Sequence, residues 1–532
     1  MVYKSLTAAA ICALVAGTAQ ADYVLHVLHI NDLHSRIEPI NRFDSTCNAE
    51  DDAAGECFGG VARVATKISE LRDQLVADGE NVIVLDAGDQ FQGSLMYTTY
   101  KGTAEAEFMN AIGFDAMAVG NHEFDDGPAA LRSFIDTVDF PVISGNLDLS
   151  SSTELKDQVA NHIVLDVGGE KIGIVSALAT DTVETSSPGP DVVFQDEIES
   201  LSADVATLEA DGVNKIIALT HVGLPKDVEI AGAVAGLDAV VGGHSHTYLS
   251  SSDDEAAGPY PTMVEQGNLQ VPVVQAYAYS KYVGHLKLTF SDDGVVTAAE
   301  GDAILLDASV TPDEAIAARV AELAGPIEEL KSEVVSEAAE AIEGSREVCR
   351  AMECPMGNLV ADAMLNRVAD QGVTIAIQNG GGLRASIDAG EITMGEVLTV
   401  LPFQNTLATF QLKGSDIVAA LENGVSQVEE GAGRFPQVAG MKYVWDAAAE
   451  PGSRIVEVMV ADGDSFAPID PEAVYGVVSN NYMRSGGDGY SVFSTSGLNA
   501  YDFGPGLEAV VADYLAENGP YAPYTDGRIA QK

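Results

Sequence analysis

Positive charge is what this chain lacks most: 27 lysines and arginines stand against 81 acidic residues over 532 positions, a net charge of −54. So negative a body is excluded as a coat for nucleic-acid polymers or as a binder of anionic membranes. The plain reading is a solvated acidic surface suited to a salty environment. Any anionic substrate must then meet strong local positive charge. Long apolar runs are also missing: after the N-terminus no segment is long and apolar enough to cross a bilayer, and the tail PYTDGRIAQK carries no anchor signal. At the start, Lys4 precedes an apolar run from Leu6 to Ala16 and then Ala19-Gln20-Ala21, the pattern of a secretory leader cut after Ala21. Ile11 before Cys12 does not suit a lipoprotein site. The expectation is a secreted chain, periplasmic or extracellular, without a membrane anchor; the oligomeric state stays open.

Cysteine is sparse. Beyond the leader only Cys47, Cys57, Cys349 and Cys354 remain, in two close pairs that each close a small loop. In an oxidising compartment such pairs read as local disulfides, 47–57 and 349–354. A structural zinc site is the competing reading, but neither pair has CxxC spacing and no histidine adjoins either. Histidine is absent from the last two-fifths of the chain, since all nine lie at or before His285. Imidazole chemistry therefore belongs to the N-terminal part.

What is present is a globular composition, 46% hydrophobic, with no internal repeat or low-complexity tract. The length allows two or three domains with sizeable cores. The N-terminal part alternates strands and helices, an α/β pattern. YVLHVLHI (23–30), NVIVLDAG (81–88), FDAMAVG (114–120), FPVISGN (140–146), KIIALTH (215–221) and LDAVVGG (237–243) read as strands. Residues 59–79 form an amphipathic helix, with others near 103–112, 128–137 and 195–210. VPVVQAYAY (271–279) and YVGHLKLTF (282–290) read as a closing hairpin. Thr311-Pro312-Asp313-Glu314 is a capping box opening a helix to about Glu337, kinked at Gly325-Pro326. The division expected is a leader at 1–21, a catalytic domain at 22–310, a linker helix at 311–340 and a second domain at 341–532.

Five segments sit where predicted strands end: LHINDLHS (28–35), VLDAGDQFQGS (84–94), AVGNHEFDDG (118–127), LTHVGL (219–224) and VVGGHSHT (240–247). In an open α/β sheet the carboxyl ends of strands form the rim where ligands bind. Asp32, His34, Asp89, Asn121, His122, His221, His244 and His246 would thus converge on one cleft. An isolated histidine on a strand is ordinarily a satisfied core or surface residue, and His26, His162 and His285 are read so. His29 is read as a support behind the ligands, and Asp86 as an acid capping the loop around Asp89. Five strand ends all carrying ligand-type residues are a different matter. Carboxylate, imidazole and amide oxygen suit zinc, manganese, iron or cobalt better than calcium or magnesium. With His122 set aside, seven ligands are too many for one tetrahedral ion and about right for two with a bridging carboxylate. Such a pair clamps a phosphoryl group and makes hydroxide available at neutral pH.

These segments resemble those of the calcineurin-like metallophosphoesterases, and specifically the secreted 5′-nucleotidase family, over nearly the whole mature chain. The resemblance implies an αββα sandwich joined by a linker helix to a smaller α/β substrate-binding domain. It implies two divalent ions, zinc, manganese or cobalt foremost, one held by Asp32, His34, Asp89 and His246, the other by Asp89, Asn121, His221 and His244. His246 departs from the pattern, since some relatives carry an amide there. His122 and Asp125 resemble the family's catalytic dyad. An imidazolium held by a carboxylate can stabilise transition-state charge and assist the leaving oxygen.

In the second half, IQNGGGLRASI (377–387), LPFQNTL (401–407) and NYMRSGGDGY (481–490) resemble the family's substrate domain. From the residues alone, Arg350 and Arg384 can fork onto phosphate oxygens. Phe403 and Tyr482 can sandwich a flat base and Asp488 can accept from ribose hydroxyls, although either ring alone would ordinarily be core packing. The resemblance assigns Asn379, Arg384, Phe403, Asn405, Tyr482 and Asp488 to substrate, with Arg350 in the position of the family's CRxxEC loop; Tyr482 replaces a commoner Phe. The expected activity is hydrolysis of nucleoside 5′-monophosphates. The alternatives are a 2′,3′-cyclic-nucleotide phosphodiesterase with 3′-nucleotidase activity, and a secreted nucleotide-binding protein without catalysis.

Overall fold

The computed structural model describes residues 22–532 apart from positions 43, 45, 48, 464 and 503, so the expected leader lies outside the described residues. The N-terminal half is built on two six-stranded sheets. The first runs in the order 296–305, 282–290, 23–30, 81–86, 116–118, 142–143; the second runs 262–266, 269–274, 239–242, 216–221, 170–178, 162–167. In each sheet the central strands are parallel and antiparallel strands close an edge. Strand alternation explains why the sheets stack. Along Tyr23–Ile30, Leu25 and Val27 enter a core shared with Ile174, Leu219 and Val241 of the other sheet. Leu28 and Ile30 face the opposite way, onto Val64 and Ile68 of the helix Val61–Asp78. Behind the second sheet, Leu201, Val205 and Leu208 of the helix Glu197–Ala210 cover Val175 and Ala218. The result is the expected αββα sandwich.

Two local expectations are corrected. Residues 271–279 and 282–290 do not form a hairpin. The strand Leu269–Val274 pairs with Ala239–Gly242 and Thr262–Gln266 in the second sheet, whereas Tyr282–Phe290 pairs with Tyr23–Ile30 and Val296–Leu305 in the first. The connection crosses between layers, with Tyr277, Tyr279 and Ser280 in left-handed backbone. The linker helix spans only Glu314–Lys331. Its cap is Asp313, whose carboxylate accepts from the Ala315 and Ile316 amides, and it continues through Pro326. The β-branched pair Val334-Val335 then opens a strand, Val334–Ala338, that pairs with Gly390–Thr393. Val320, Leu323 and Ile327 seat the helix on Leu33, Ile37, Val61 and Phe108.

The C-terminal half centres on a five-stranded sheet in the order 436–439, 373–379, 474–480, 407–413, 498–501. The helices Pro355–Arg367 and Leu507–Glu517 cover one face; the helix Gly414–Gly424 and a four-stranded sheet containing Tyr443 and Trp445 cover the other. Both disulfides are formed, with Cα–Cα separations of 5.8 Å for Cys47–Cys57 and 5.1 Å for Cys349–Cys354. No helix among the described residues is long and apolar enough to cross a membrane.

Candidate active site

The five ligand-type segments leave strands of both sheets, not one. Asp32, His34, Asp89, Asn121 and His122 follow strands of the first sheet; His221, His244 and His246 end or follow strands of the second. Stacking brings these ends to one edge. His34 Nε2 lies 2.9 Å from His246 Nε2, and Asp32 Oδ1 lies 3.3 Å from His246 Nε2. Beside them, Asn121 Oδ1 is 2.8 Å from His244 Nδ1 and 3.2 Å from His221 Nε2, which is 3.0 Å from Asp89 Oδ2. Asp89 Oδ2 is also 3.8 Å from His34 Nε2, so this oxygen stands between the two groups.

The tautomers support a metal-binding reading. His221 Nδ1 donates to the Ala87 carbonyl at 2.7 Å and His34 Nδ1 to the Phe91 carbonyl at 3.2 Å. Each Nε2 is thereby turned into the cluster, the orientation that carbonyl-anchored metal ligands take; burial lowers His34, whereas at His221 burial is outweighed by the Asp89 and Asp32 carboxylates, which raise it to about 10. Imidazoles, carboxylates and an amide oxygen turned on one another in this way suit the surroundings of divalent cations. Asp32, His34 and His246 form one candidate ligand group and Asp89, His221 and His244 another, the donor set fitting a dimetal site. Asp32, His34, Asp89, His244 and His246 all have φ between 48° and 76°, left-handed backbone that costs roughly 1–3 kcal/mol at a non-glycine and persists where function holds it. Gly88 is needed for its φ of 93°, whereas Gly120 is needed for room, since a Cβ there would come within 2.2 Å of Asp89 Oδ1.

His122 stands at the edge of the cluster, within the reach of His34 and Asp89, with Nδ1 donating to Asp125 Oδ2 at 2.6 Å. Burial alone would lower this imidazole, but the Asp125 and Asp89 carboxylates outweigh it and raise it to about 9. The pair with Asp125 thus favours the imidazolium form, at the edge of a cluster suited to divalent ions. Burial, reinforced by His221, lowers His244 to about 4, which suits a neutral ligand.

Sequence reasoning missed Glu123. Its buried carboxylate accepts the amides of Gly120 (2.7 Å), Gln90 (2.8 Å), Asp89 (3.1 Å) and Phe91 (3.2 Å), tying the Asp89 loop to the Asn121 loop. The signal lay in the stretch NHEF itself, where an acid flanked by ligand and core residues has no solvent to face. His29 is a correction: its Nε2 meets Tyr260 Oη at 2.8 Å between the sheets, away from the ligands. Burial lowers it to about 3, so it is a neutral core residue. Asp86 accepts from the Gly88 amide and Gln90 Nε2, as a loop-capping acid does. His26 pairs with His285 at 2.8 Å and His162 with Asp204 at 3.0 Å.

Arg350, Asn379, Arg384, Phe403, Asn405, Tyr482 and Asp488 line one cavity of about 420 Å³, joined by Arg42 and Asp44 of the first domain. None of the cluster residues lines it. Phe403 and Tyr482 are not packed in the core; Tyr482 is 46% exposed. The Tyr482 ring lies over Gly487, where a Cβ would come within 2.5 Å, and its hydroxyl donates to Asp488 Oδ1 at 3.1 Å. Asn379 Nδ2 holds the other Asp488 oxygen at 2.7 Å. Arg384 stacks on Phe403 at 5.2 Å. Among the described residues neither Arg350 nor Arg384 makes an ion pair, and burial together with the like charge of Arg346 lowers both. In so acidic a chain, two arginines facing one cavity, with Asp488 and Glu347 acting on Arg350 only at a distance, fit an anionic ligand. From the second domain Tyr501 lies within the influence of the ligand-type cluster, its phenol raised by burial and by Asp125, Asp89 and Asp181.

Family models match both halves: calcineurin-like phosphoesterase over residues 25–248 and the 5′-nucleotidase C-terminal domain over 331–495. A 5′-nucleotidase of Diplobatis ommata is 40% identical over 98% of this chain and 92% of its own length. Among solved structures, a 5′-nucleotidase precursor from Thermus thermophilus is 42% identical, with a TM-score of 0.61 over 96% of this chain and 99% of that one. The NAD nucleotidase of Haemophilus influenzae is 28% identical, with a TM-score of 0.79 over 96% of this chain and 100% of that one. A two-domain architecture shared along almost its entire length with proteins of that name leaves one conclusion: the chain belongs to the 5′-nucleotidase family.

Proposed function

We propose that this chain is an extracytoplasmic, metal-dependent phosphomonoesterase that converts nucleoside 5′-monophosphates to nucleoside and phosphate. The observation carrying the reading is the convergence of seven ligand-type side chains from two sheets beside the His122–Asp125 pair. Asp32, His34, Asp89 and His246 would hold one divalent ion, and Asp89, Asn121, His221 and His244 the second; zinc, manganese and cobalt suit the donors best. When bound, two such ions supply Lewis-acid charge to the phosphoryl oxygens and make a hydroxide nucleophile accessible at neutral pH.

The chain's own residues do the rest. His122, oriented by its bond to Asp125, stabilises the charge developing on the phosphoryl group and assists the departing 5′-oxygen. In the second domain Phe403 and Tyr482 take the base, Asp488 the ribose hydroxyls, and Arg350, Arg384, Asn379 and Asn405 the polar edge of the substrate. A nucleotide with its phosphate at the cluster and its base in the cavity would bridge both domains, and their closure on it would hinge at residues 311–340. The two disulfides support an oxidising compartment and hence secretion. A phosphate-release screen over AMP, ADP, UDP-glucose, 3′-AMP and 2′,3′-cyclic AMP tests the reading; preference for either of the last two substrates over AMP would overturn it.

A further inference from the structure

The His122–Asp125 pair has a third member that neither the sequence reading nor the proposed mechanism uses. Asp125 follows the short 3₁₀ turn His122–Phe124, its side chain is 21% exposed, and its Oδ2 accepts from His122. Its other oxygen, Oδ1, accepts the hydroxyl of Ser186 at 2.7 Å. Ser186 comes from the far layer, 61 residues away. It ends the short helix Thr182–Thr185, which follows the second-sheet strand Glu170–Leu178. A series of hydrogen bonds locks that segment. The Ala179 amide donates to the His221 carbonyl at 3.0 Å, buried Thr182 donates through Oγ1 to Ala179 O at 2.7 Å, and the Ser186 amide donates to Thr182 O at 3.0 Å.

We infer that Ser186 is a positioning residue: its hydroxyl fixes the plane of the Asp125 carboxylate so that His122 is held in line with the reacting phosphoryl group. This rests on the dyad reading of His122 and Asp125. A carboxylate bonded on one oxygen can swing about its last torsion toward solvent; bonded on both, from opposite layers of the fold, it cannot. Alignment of this kind matters because misplacing a reacting group by ~1 Å costs up to about 10²-fold in rate. Ser186 touches neither ligand cluster, so its loss should leave metal binding alone.

The test is kinetic, on the full-length metal-loaded enzyme with AMP. Ser186→Ala should lower kcat roughly tenfold, the scale of one hydrogen bond to a charged group, with KM and the metal content per chain unchanged. Ser186→Thr, which keeps the hydroxyl, should stay within about threefold of wild type, while Ser186→Val, matched in volume but without it, should behave like alanine. The volume-matched pair keeps the comparison valid even where alanine disturbs the loop. In a His122→Ala background Ser186→Ala should have no further effect, because the hydroxyl acts only through the imidazole. Equal kcat for the Thr and Val variants, or an undiminished effect of Ser186→Ala in that background, would overturn the inference. If His122→Ala itself turns over like wild type, the dyad reading falls and this inference with it; if His122→Ala is impaired and Ser186→Ala is not, only the role of Ser186 falls.

Discussion

His122 Nδ1 and Asp125 Oδ2 are 2.6 Å apart, on a single turn that begins where a parallel strand has just ended. Three residues of separation let one turn of backbone place the acid beside the imidazole, so the contact itself is local even though its orientation is held from the other layer by Ser186. His122→Ala should therefore leave the fold and metal content intact while lowering kcat by ~10²–10⁴-fold. A variant within about threefold of wild type, roughly 0.6 kcal/mol of barrier, would remove His122 from the mechanism.

Asp89 gives one oxygen to the His122 amide at 2.9 Å and turns the other between the two ligand groups. Asp89→Ala should accordingly lose both ions together. Chelation should abolish phosphate release and zinc, manganese or cobalt should restore it. Elemental analysis finding one ion per chain in fully active wild type would reject the dinuclear assignment.

Removing a ring from the cavity separates nucleoside recognition from chemistry. Phe403→Ala should raise KM for AMP, since base stacking is worth roughly 1–3 kcal/mol on comparable aromatic platforms. A small aryl phosphate, which reaches the cluster without the cavity, should hardly notice. The quantity to measure is the AMP-to-aryl-phosphate ratio of kcat/KM; an unchanged ratio would mean that the ring is packing.

Salt should not harm this enzyme as it harms most binders of anions. The body carries −54, and its repulsion of nucleotides is screened as ionic strength rises, while buried contacts are screened less. The expectation is a kcat/KM that is flat or rising between low and physiological salt. A steep monotonic fall at constant metal occupancy would contradict it.

Stability should carry a signature of Asp238, whose carboxyl is pushed from 3.8 to about 7, chiefly by burial, while the Ile216 amide pulls it down. Between those values the folded chain holds a proton that the unfolded chain has released, so this group's contribution falls as pH rises across that window and levels off above it. Asp238→Asn keeps the shape and removes the titration. Its Tm relative to wild type should climb between pH 4 and 8, and an offset that does not vary with pH would exclude the effect.

Much of the architecture was legible because the site and the strands announce each other: a ligand-type residue directly after an apolar run marks both a strand end and a cleft. The cysteine pairs and the helix closing at Gly79, in left-handed backbone, were equally local. What stayed hidden was partnership over distance. Leu269–Val274 and Tyr282–Phe290 are close enough in sequence to suggest a hairpin, yet their hydrogen bonds go back to Ala239–Gly242 and to Tyr23–Ile30, in different layers. Ser186 and Glu123 act on groups that only folding brings near. His29 was misjudged because proximity to Asp32 in sequence says nothing of which face of a strand it takes.

The division of the ligand-type residues between two sheets would give bound ions a second role. Asp32 and His34 belong to one layer and His246 to the other; Asp89 and Asn121 belong to one layer and His221 and His244 to the other. Each ion would rivet the layers at the edge where their strands run out and the shared apolar core ends. Loading then becomes a mechanical as well as a chemical event, and the melting point of the first domain becomes a gauge of free metal, rising with the logarithm of its concentration. A secreted enzyme of this design would be clipped by proteases at its rim when metal is scarce and endure when metal is plentiful, so that the environment that activates it also sets its lifetime.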